Sequence, residues 1–180
     1  MKIRFYNRMI NRSAIRGAAF IFAAALILTA AVICSSCAEK EIILDLDEVF
    51  GRLDEMGYLD GLYELDASRI LMEYGIKEDM AAQIRVLNSE NIASADEVFM
   101  CEAADAQSKE AIVNKLKDRR VKKQLDMTEY FLNPNYAQEY LNVTDSRIID
   151  SGMYVFYVIS GDAGALNGVI EQLIKEAPRK

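Results

Sequence analysis

The 180 residues of this chain include no histidine, so any catalytic chemistry in it has to proceed without an imidazole. A Ser-His-Asp or Cys-His unit therefore cannot form, and a zinc site that needs imidazole is excluded. The three thiols belong to Cys34, Cys37 and Cys101. Paired carboxylates remain as an option, since glycosidases use two of them to cleave a sugar bond. We predict neither a metal nor a cofactor.

Structural roles explain the acidic side chains that the sequence allows us to place. Asp105 and Asp162 each follow a predicted strand and precede a predicted helix, which is the N-cap position. A carboxylate there accepts backbone N–H groups and meets the positive end of the helix. The acids between residues 45 and 60 lack the alternation and central Gly of a calcium-binding EF-hand loop. The acidic residues therefore indicate no specific catalytic pair.

Residues 1–37 have the charge and hydropathy of an export signal. They carry five basic residues and no acidic one. Behind the basic residues, residues 17–34 form an uncharged apolar stretch followed by small residues, the arrangement of a signal peptide. The stretch is also long enough to cross a bilayer if it is not cleaved. Basic residues before it keep the N-terminus in the cytoplasm, so we expect residues 38–180 outside.

Cys37 is the candidate site of lipid attachment. Ser35, Ser36 and Cys37 resemble the lipobox of bacterial lipoproteins, in which a Cys after small residues receives diacylglycerol. Cys34 stands where that pattern usually has a branched apolar residue such as Leu, so the match is imperfect. Two anchors stay open, a lipid on Cys37 or a single uncleaved N-terminal transmembrane helix. Either would hold the protein at the outer face of the cytoplasmic membrane, with residues 38–44 as a tether.

The exported part is strongly acidic. Residues 38–180 hold 16 basic and 28 acidic residues, a net charge of −12, and their number suits one domain. The chain as a whole is 52% hydrophobic, which allows a packed core. An acidic body repels a nucleic-acid backbone, so we predict no nucleic-acid partner.

Two short helices are predicted at the start of the domain. Apolar residues recur at helical spacing from Leu46 to Leu53, and Gly57 follows as a helix stop. A second helix over residues 68–74 would end at Gly75.

The rest of the chain repeats the order strand, strand, helix. Residues 98–117 align without gaps to residues 155–174, and five of those 20 positions are identical. Cys101 aligns with Val158, so we expect it to pack as a small buried apolar residue. We therefore predict a single α+β domain at residues 45–180. Its two strand-strand-helix units form a four-stranded antiparallel sheet with helices on one face.

An insertion at residues 118–145 separates the two units and forms, with the end of the preceding helix, the candidate interaction surface. The apolar stripe of that helix would continue at charged positions, so we expect the helix to leave the core there. The basic side chains are Lys115, Arg119, Arg120, Lys122 and Lys123, and the Tyr side chains are Tyr130, Tyr136 and Tyr140. Cations suit the C-terminal end of a helix, and Tyr residues suit either a lid on the sheet or a recognition surface. An interaction surface of this kind would meet an envelope protein or an anionic wall polymer.

Several segments together resemble a known family. They are Tyr74-Gly75-Ile76, the strand Asp96-Glu97-Val98-Phe99, the charged helix, the segment from Tyr130 to Leu141 with its Pro and Gln138, and the strand at residues 154–159. Over residues 45–177 the chain resembles small exported lipoproteins of Gram-positive bacteria called domain of unknown function 4358. The resemblance implies an extracytoplasmic, usually lipid-anchored domain, and it supplies no activity or catalytic residue. The imperfect lipobox is where this chain departs from the family.

Together these observations predict a non-enzymatic, membrane-anchored binding or protein-interaction module of the cell envelope. The membrane is its partner through the N-terminal anchor. The alternatives are a carboxylate-dependent hydrolase of the envelope and a structural accessory subunit of an envelope complex.

Overall fold

The computed structural model describes residues 41–91, 93–131 and 137–180, without the side chains of residues 129–131. The export signal, Cys37 and Tyr136 therefore lie outside the described residues, as does the side chain of Tyr130. In the part that is described, no helix is both long and apolar enough to span a membrane.

Five helices and five strands make up the described part of the chain. The helices are α1 (Leu46–Glu55), α2 (Ala67–Tyr74), α3 (Ala106–Phe131), α4 (Ala137–Asp145) and α5 (Ala163–Glu176). The strands are β1 (Leu62–Glu64), β2 (Ala81–Ser89), β3 (Glu97–Ala103), β4 (Arg147–Ser151) and β5 (Tyr154–Ile159). A short 3₁₀ turn at Glu78–Met80 leads into β2. This mixture confirms the α+β class.

The two predicted short helices are present, with the ends that the sequence indicated. Asp45 and Asp66 accept backbone N–H bonds at the first turns of α1 and α2. Gly57 and Gly75 follow these helices at φ angles of 75° and 67°, a left-handed conformation that favours glycine.

A single antiparallel sheet forms the centre of the domain, with the strand order β1-β2-β3-β5-β4. The second strands of the two repeat units, β3 and β5, pair in the middle. The prediction of four strands was one too few, because β1 adds a fifth beside β2. At three residues, β1 is too short for an alternating pattern to reveal.

Helices cover both faces of the sheet, which corrects the prediction that they share one face. Helices α1 and α5 pack on one face with Met100 and Phe156, whereas α2, α3 and α4 pack on the other with Phe99 and Tyr157. All four of these strand residues are at most 1% exposed. A strand buried on both sides reads as a continuous apolar run, as the segments VFMC of β3 and YVFYVI of β5 do. Those runs indicate two helical layers.

The pairing register explains why the two similar units face opposite ways. Val98 aligns with Val155 in the repeat, but the sheet places Val98 opposite Val158. Val155 and Val158 are three positions apart on β5. Because side chains alternate between the two faces along a strand, an odd offset places these two on opposite faces. Each unit keeps its own strand-to-helix geometry, while the second unit is turned over relative to the first.

The described part of the predicted tether, residues 41–44, is built into the domain. Ile42 forms a β-bridge with Arg179 near the C-terminal end, and backbone hydrogen bonds flank that bridge. Leu44 is 9% exposed, and both its N–H and its C=O bond to the hydroxyl of Tyr154, at 3.0 Å each. The bridge and its flanking hydrogen bonds hold the first and last described residues of the domain against each other.

Candidate functional site

Helix α3 continues for 26 residues, past the point where we expected it to leave the core. Ile112 and Leu116 are fully buried on its inner side. Arg119 and Lys123 follow at helical spacing on that same side, and both reach a carboxylate of the sheet. The helix therefore stays on the domain, because ionic contacts replace the apolar ones where the stripe ends.

The carboxylate that receives these cations belongs to Glu97, which is 0% exposed at the start of β3. The Arg119 guanidinium donates from Nε to Oε1 and from Nη2 to Oε2 of Glu97, both at 2.8 Å. The Nζ of Lys123 lies 2.6 Å from Oε2 of the same side chain. Two parallel bonds from one guanidinium fix its orientation as well as its charge. One buried anion is thus shared by two cations of α3.

Further contacts extend this cluster to α2. Arg119 donates from Nη1 to the backbone carbonyl of Glu73 at 3.1 Å, and the carboxylate of Glu73 lies 3.6 Å from Nη2. The guanidinium also stacks 3.8 Å from the ring centre of Tyr74, a favourable cation–π arrangement. The Arg119 side chain therefore ties the end of α2 to the sheet.

The turn before β3 is held by the same helix and by α4. Lys123 donates to the carbonyl of Ala95 at 3.0 Å. The amide of Ala95 donates to Oε2 of Glu139 at 2.8 Å. The backbone of one buried residue is thus bonded by a cation of α3 and an anion of α4, so the two helices and the turn form one connected ionic network.

The electrostatics of this network favour a permanently charged structure. Burial by itself would raise the pKa of Glu97, but Lys123 and Arg119 outweigh it and hold that pKa below its ordinary value of 4.5. Burial raises the pKa of Tyr74 well above its ordinary value, so that hydroxyl stays protonated. Every charge of the Glu97 cluster is matched inside the domain. The cluster is suited to holding α2, α3 and β3 together, and it offers no free acid or base for catalysis.

The remaining predicted surface residues lie in different places. Arg120 donates to the carbonyl of Ser146 at 3.2 Å, Lys115 is half-buried beside Gly75, and Tyr140 is half-buried in α4. Lys122 is exposed. The structure thus brings Arg119 and Lys123 together on one acid, whereas Arg120 bonds a different group.

Sequence reasoning missed the exposed apolar residues of α3 and α4. Val121, Leu125 and Leu141 are 52%, 67% and 41% exposed. Val121 and Leu125 are one helical turn apart and so are neighbours, and α4 packs against α3. Their helical spacing was visible in the sequence, but only the structure shows that Arg119 and Lys123 face inward while these apolar residues face outward. Exposed charged residues of α3, Lys117 and Asp118, lie one helical turn before Val121. We call Val121, Lys122, Leu125 and Leu141 the hairpin surface.

A cavity of about 150 Å³ brings together acids from three separate segments. Asp60 follows α1, Asp96 precedes β3, and Asp162 precedes α5. Ser160 and Tyr58 also line this acidic pocket. One oxygen of Asp96 is fully buried and has no hydrogen-bond partner within the described residues.

The two predicted N-cap residues differ in their contacts. Asp105 accepts the N–H of Ser108 at 2.7 Å, as predicted for a cap. Asp162 occupies the N-cap position, but its side chain makes no capping bond, so that part of the prediction is wrong. Asp162 is one of the residues that line the acidic pocket. Within residues 41–91, 93–131 and 137–180, no group of three or more acidic or Cys side chains is arranged to hold a metal ion.

Residues 57–160 match the family model described as Domain of unknown function (DUF4358). The chain belongs to this family. The DUF4358 match contains all five strands together with α2, α3 and α4, whereas α1 and α5, the layer on the opposite face, lie outside it. Glu97, Arg119 and Lys123 are therefore within the matched segment. No curated protein and no solved structure matches the chain.

Proposed function

We propose that this DUF4358 protein is exported and acts at the outer face of the cytoplasmic membrane as a non-enzymatic protein-interaction module. The support for its location is the basic and then apolar N-terminal sequence. Either a lipid on Cys37 or an uncleaved N-terminal helix anchors it. The described domain begins at residue 41, so three residues of the sequence separate it from Cys37.

The hairpin surface is the observation that carries the interaction role. Val121 and Leu125 leave more than half of their side chains in water, although an apolar side chain gains roughly 1.5–3 kcal/mol when it is fully buried. Neighbouring exposed apolar residues mark interaction sites more often than scattered ones do. Lys122 adds one cation beside them.

An envelope protein fits this surface better than an anionic wall polymer. Arg119, Arg120 and Lys123 are engaged inside the domain, so little of the predicted positive charge is left for a polyanion. The mixed apolar and cationic character of the hairpin surface suits a protein partner with an apolar patch and an acid at its rim.

A photo-crosslinking experiment on the full chain in growing cells tests this role. A photoreactive amino acid at position 122 should give a discrete crosslinked product with one protein of the envelope. The product should disappear in V121E and L125E variants and persist in M72E, which changes an apolar residue that is 76% exposed on α2. A product that is unchanged in V121E and L125E, or crosslinks to wall polymer alone, would overturn the proposal.

The acidic pocket favours a second candidate function, a carboxylate-dependent hydrolase of the envelope. Its specific support is the meeting of Asp60, Asp96 and Asp162 in one cavity, because glycoside hydrolysis requires two carboxyl groups that face one substrate. Release of soluble fragments from purified cell walls by the full chain, abolished in D96N and in D162N, would favour the enzyme. Equal fragment release by wild type, D96N and D162N would remove that candidate. The third hypothesis is a structural accessory subunit, whose hairpin surface would bind a permanent partner.

A further inference from the structure

The sheet has an incompletely paired edge at β2. Strand β2 has nine residues, but β1 pairs only with Leu87, Asn88 and Ser89. One more bond, from the amide of Leu65 to the carbonyl of Val86, extends the contact at 2.8 Å. Beyond it, residues 82–84 have no strand on the side away from β3 within the described part of the chain. Half of β2 is therefore an edge.

Backbone geometry determines which groups this edge presents. The carbonyl of Val86 points toward the β1 side, where it accepts from Leu65. The direction of backbone N–H and C=O groups alternates along a strand, so both groups of Ile84 point to that same side. A donor and an acceptor are thus available side by side, which is the pattern that another extended backbone satisfies.

Both edges of the sheet carry paired charges, and on β2 these belong to Arg85, which bonds Glu64 and Asp47 next to the open residues 82–84. On β4, Arg147 pairs with Glu171 at 3.3 Å and Asp150 pairs with Lys109 at 2.7 Å. Charged side chains on an edge strand discourage the addition of another strand. The open part of β2 has the uncharged sequence Ala-Gln-Ile at residues 82–84. A bulge between Ala81 and Gln83 limits the open stretch to a few residues.

An open recess of about 590 Å³ lies between α2 and the turn before β2. It is lined by Ala67, Ser68, Leu71 and residues 77–79. Leu71 is 49% exposed. Helix α2 and the Ile84 side chain belong to the apolar layer on the same face of the sheet, so the recess and the edge are on one side of the domain.

We propose that a short extended segment of another protein adds to β2 at residues 82–84 and places an apolar side chain in this recess. In strand addition, backbone hydrogen bonds supply affinity and pockets for alternate side chains supply specificity. The recess is lined by one exposed cation, Lys77, and by two exposed acids, Glu78 and Asp79. Its charged lining is therefore net negative, which favours a segment with a Lys or Arg beside its apolar residue. This site shares no residue with the hairpin surface, so it stands or falls independently of the proposed function.

The experiment uses the full chain in detergent micelles and a displayed library of random ten-residue peptides as the probe. Enriched peptides are synthesised, and each is also made with N-methyl groups on alternate residues in the two possible phases. We expect one phase to abolish binding and the other to preserve it, because only every second amide of an added strand faces β2. Bound peptide should also slow hydrogen exchange of the Ile84 amide.

Protein variants then test the recess. L71E should weaken peptide binding about tenfold or more, the scale at which a residue counts as an energetic anchor. M72E is the matched control on the next residue, which is 76% exposed and does not line the recess, and it should bind as wild type does.

The proposal fails if no peptide is enriched, if both N-methyl phases bind equally, or if L71E and M72E bind alike. Self-association of the full chain that protects Ile84 and excludes peptide would assign the edge to a second copy and would also overturn it. V121E should leave peptide affinity unchanged, and a loss there would mean that the peptide occupies the hairpin surface rather than β2.

Discussion

The carboxylate of Glu97 and the guanidinium of Arg119 are joined by two hydrogen bonds of 2.8 Å. Glu97 is completely buried, and the Arg119 side chain is 13% exposed. Removing both charges from water is costly, so such a pair stabilises a fold only when its geometry is good and its remaining donors are satisfied. Here Lys123 and the Glu73 carbonyl complete it.

Removing the Glu97 carboxylate should therefore lower the free energy of unfolding far more than removing a surface carboxylate does. In E97A, two cations would be left without their anion, and we expect the free energy of unfolding to fall by about 3–5 kcal/mol. E171A removes an acid that is 39% exposed and bound to Arg147, and it should cost less than ~1 kcal/mol. Urea titration of both variants measures the difference. Equal small losses would contradict a structural role for the Glu97 cluster.

Acid should destabilise the domain partly through Glu97. Its pKa in the folded state lies below the ordinary value of 4.5, so below that pH the unfolded chain binds more protons than the folded one. The stabilisation is complete above about pH 4.5 and is lost as the pH falls toward the folded pKa. We expect E97Q to show a shallower fall in free energy of unfolding between pH 6 and pH 3, roughly the window in which carboxyl groups titrate. Parallel pH profiles for wild type and E97Q would refute this.

The two N-cap positions of the repeat should differ in energy. Asp105 caps α3 through the N–H of Ser108, so D105A should lower the free energy of unfolding by more than D162A does. Asp162 makes no capping bond, and D162A should change stability by no more than about 0.5 kcal/mol, the range of ordinary surface substitutions. The same denaturation assay on the two variants compares matched positions. A larger loss in D162A would show that its carboxylate supports α5 after all.

Removal of the Tyr154 hydroxyl should loosen the start of the domain. The hydroxyl bonds both the N–H and the C=O of Leu44, and Y154F leaves these buried groups without partners at a cost of about 1–3 kcal/mol. Hydrogen exchange at the Leu44 amide should accelerate by more than that at the Ile112 amide in the core. Equal acceleration at both sites would indicate global destabilisation rather than release of this contact.

The thiol of Cys101 should be inert in the folded protein. Burial raises its pKa to about 12, and the residue is 0% exposed, so almost no reactive thiolate is present at neutral pH. With C34S and C37S introduced, Cys101 is the remaining thiol, and it should react with a thiol reagent only after unfolding by urea. Rapid reaction of the folded chain would mean that β3 opens locally.

Local sequence patterns determined α1, α2 and the strands and helices of the two repeat units, but they did not reveal β1 or α4. Apolar spacing and the glycines at positions 57 and 75 define α1 and α2, and the repeat of strand, strand and helix establishes the α+β class. Each of these features depends on residues within a few positions of one another, because helix stops and strand alternation are local properties. The burial of Cys101 was also predictable, since it lies within an apolar run.

Tertiary structure decided how these elements face one another and what remains available for partners. Glu97 and Arg119 are separated by 22 residues in the chain, and nothing local specifies their pairing. The faces on which α3 and α5 lie depend on the register between β3 and β5, where an odd offset turns one unit over. Register is set by packing across the whole sheet, so the inward turn of the basic residues and the exposure of Val121 and Leu125 follow from the fold and not from the spacing of the residues alone.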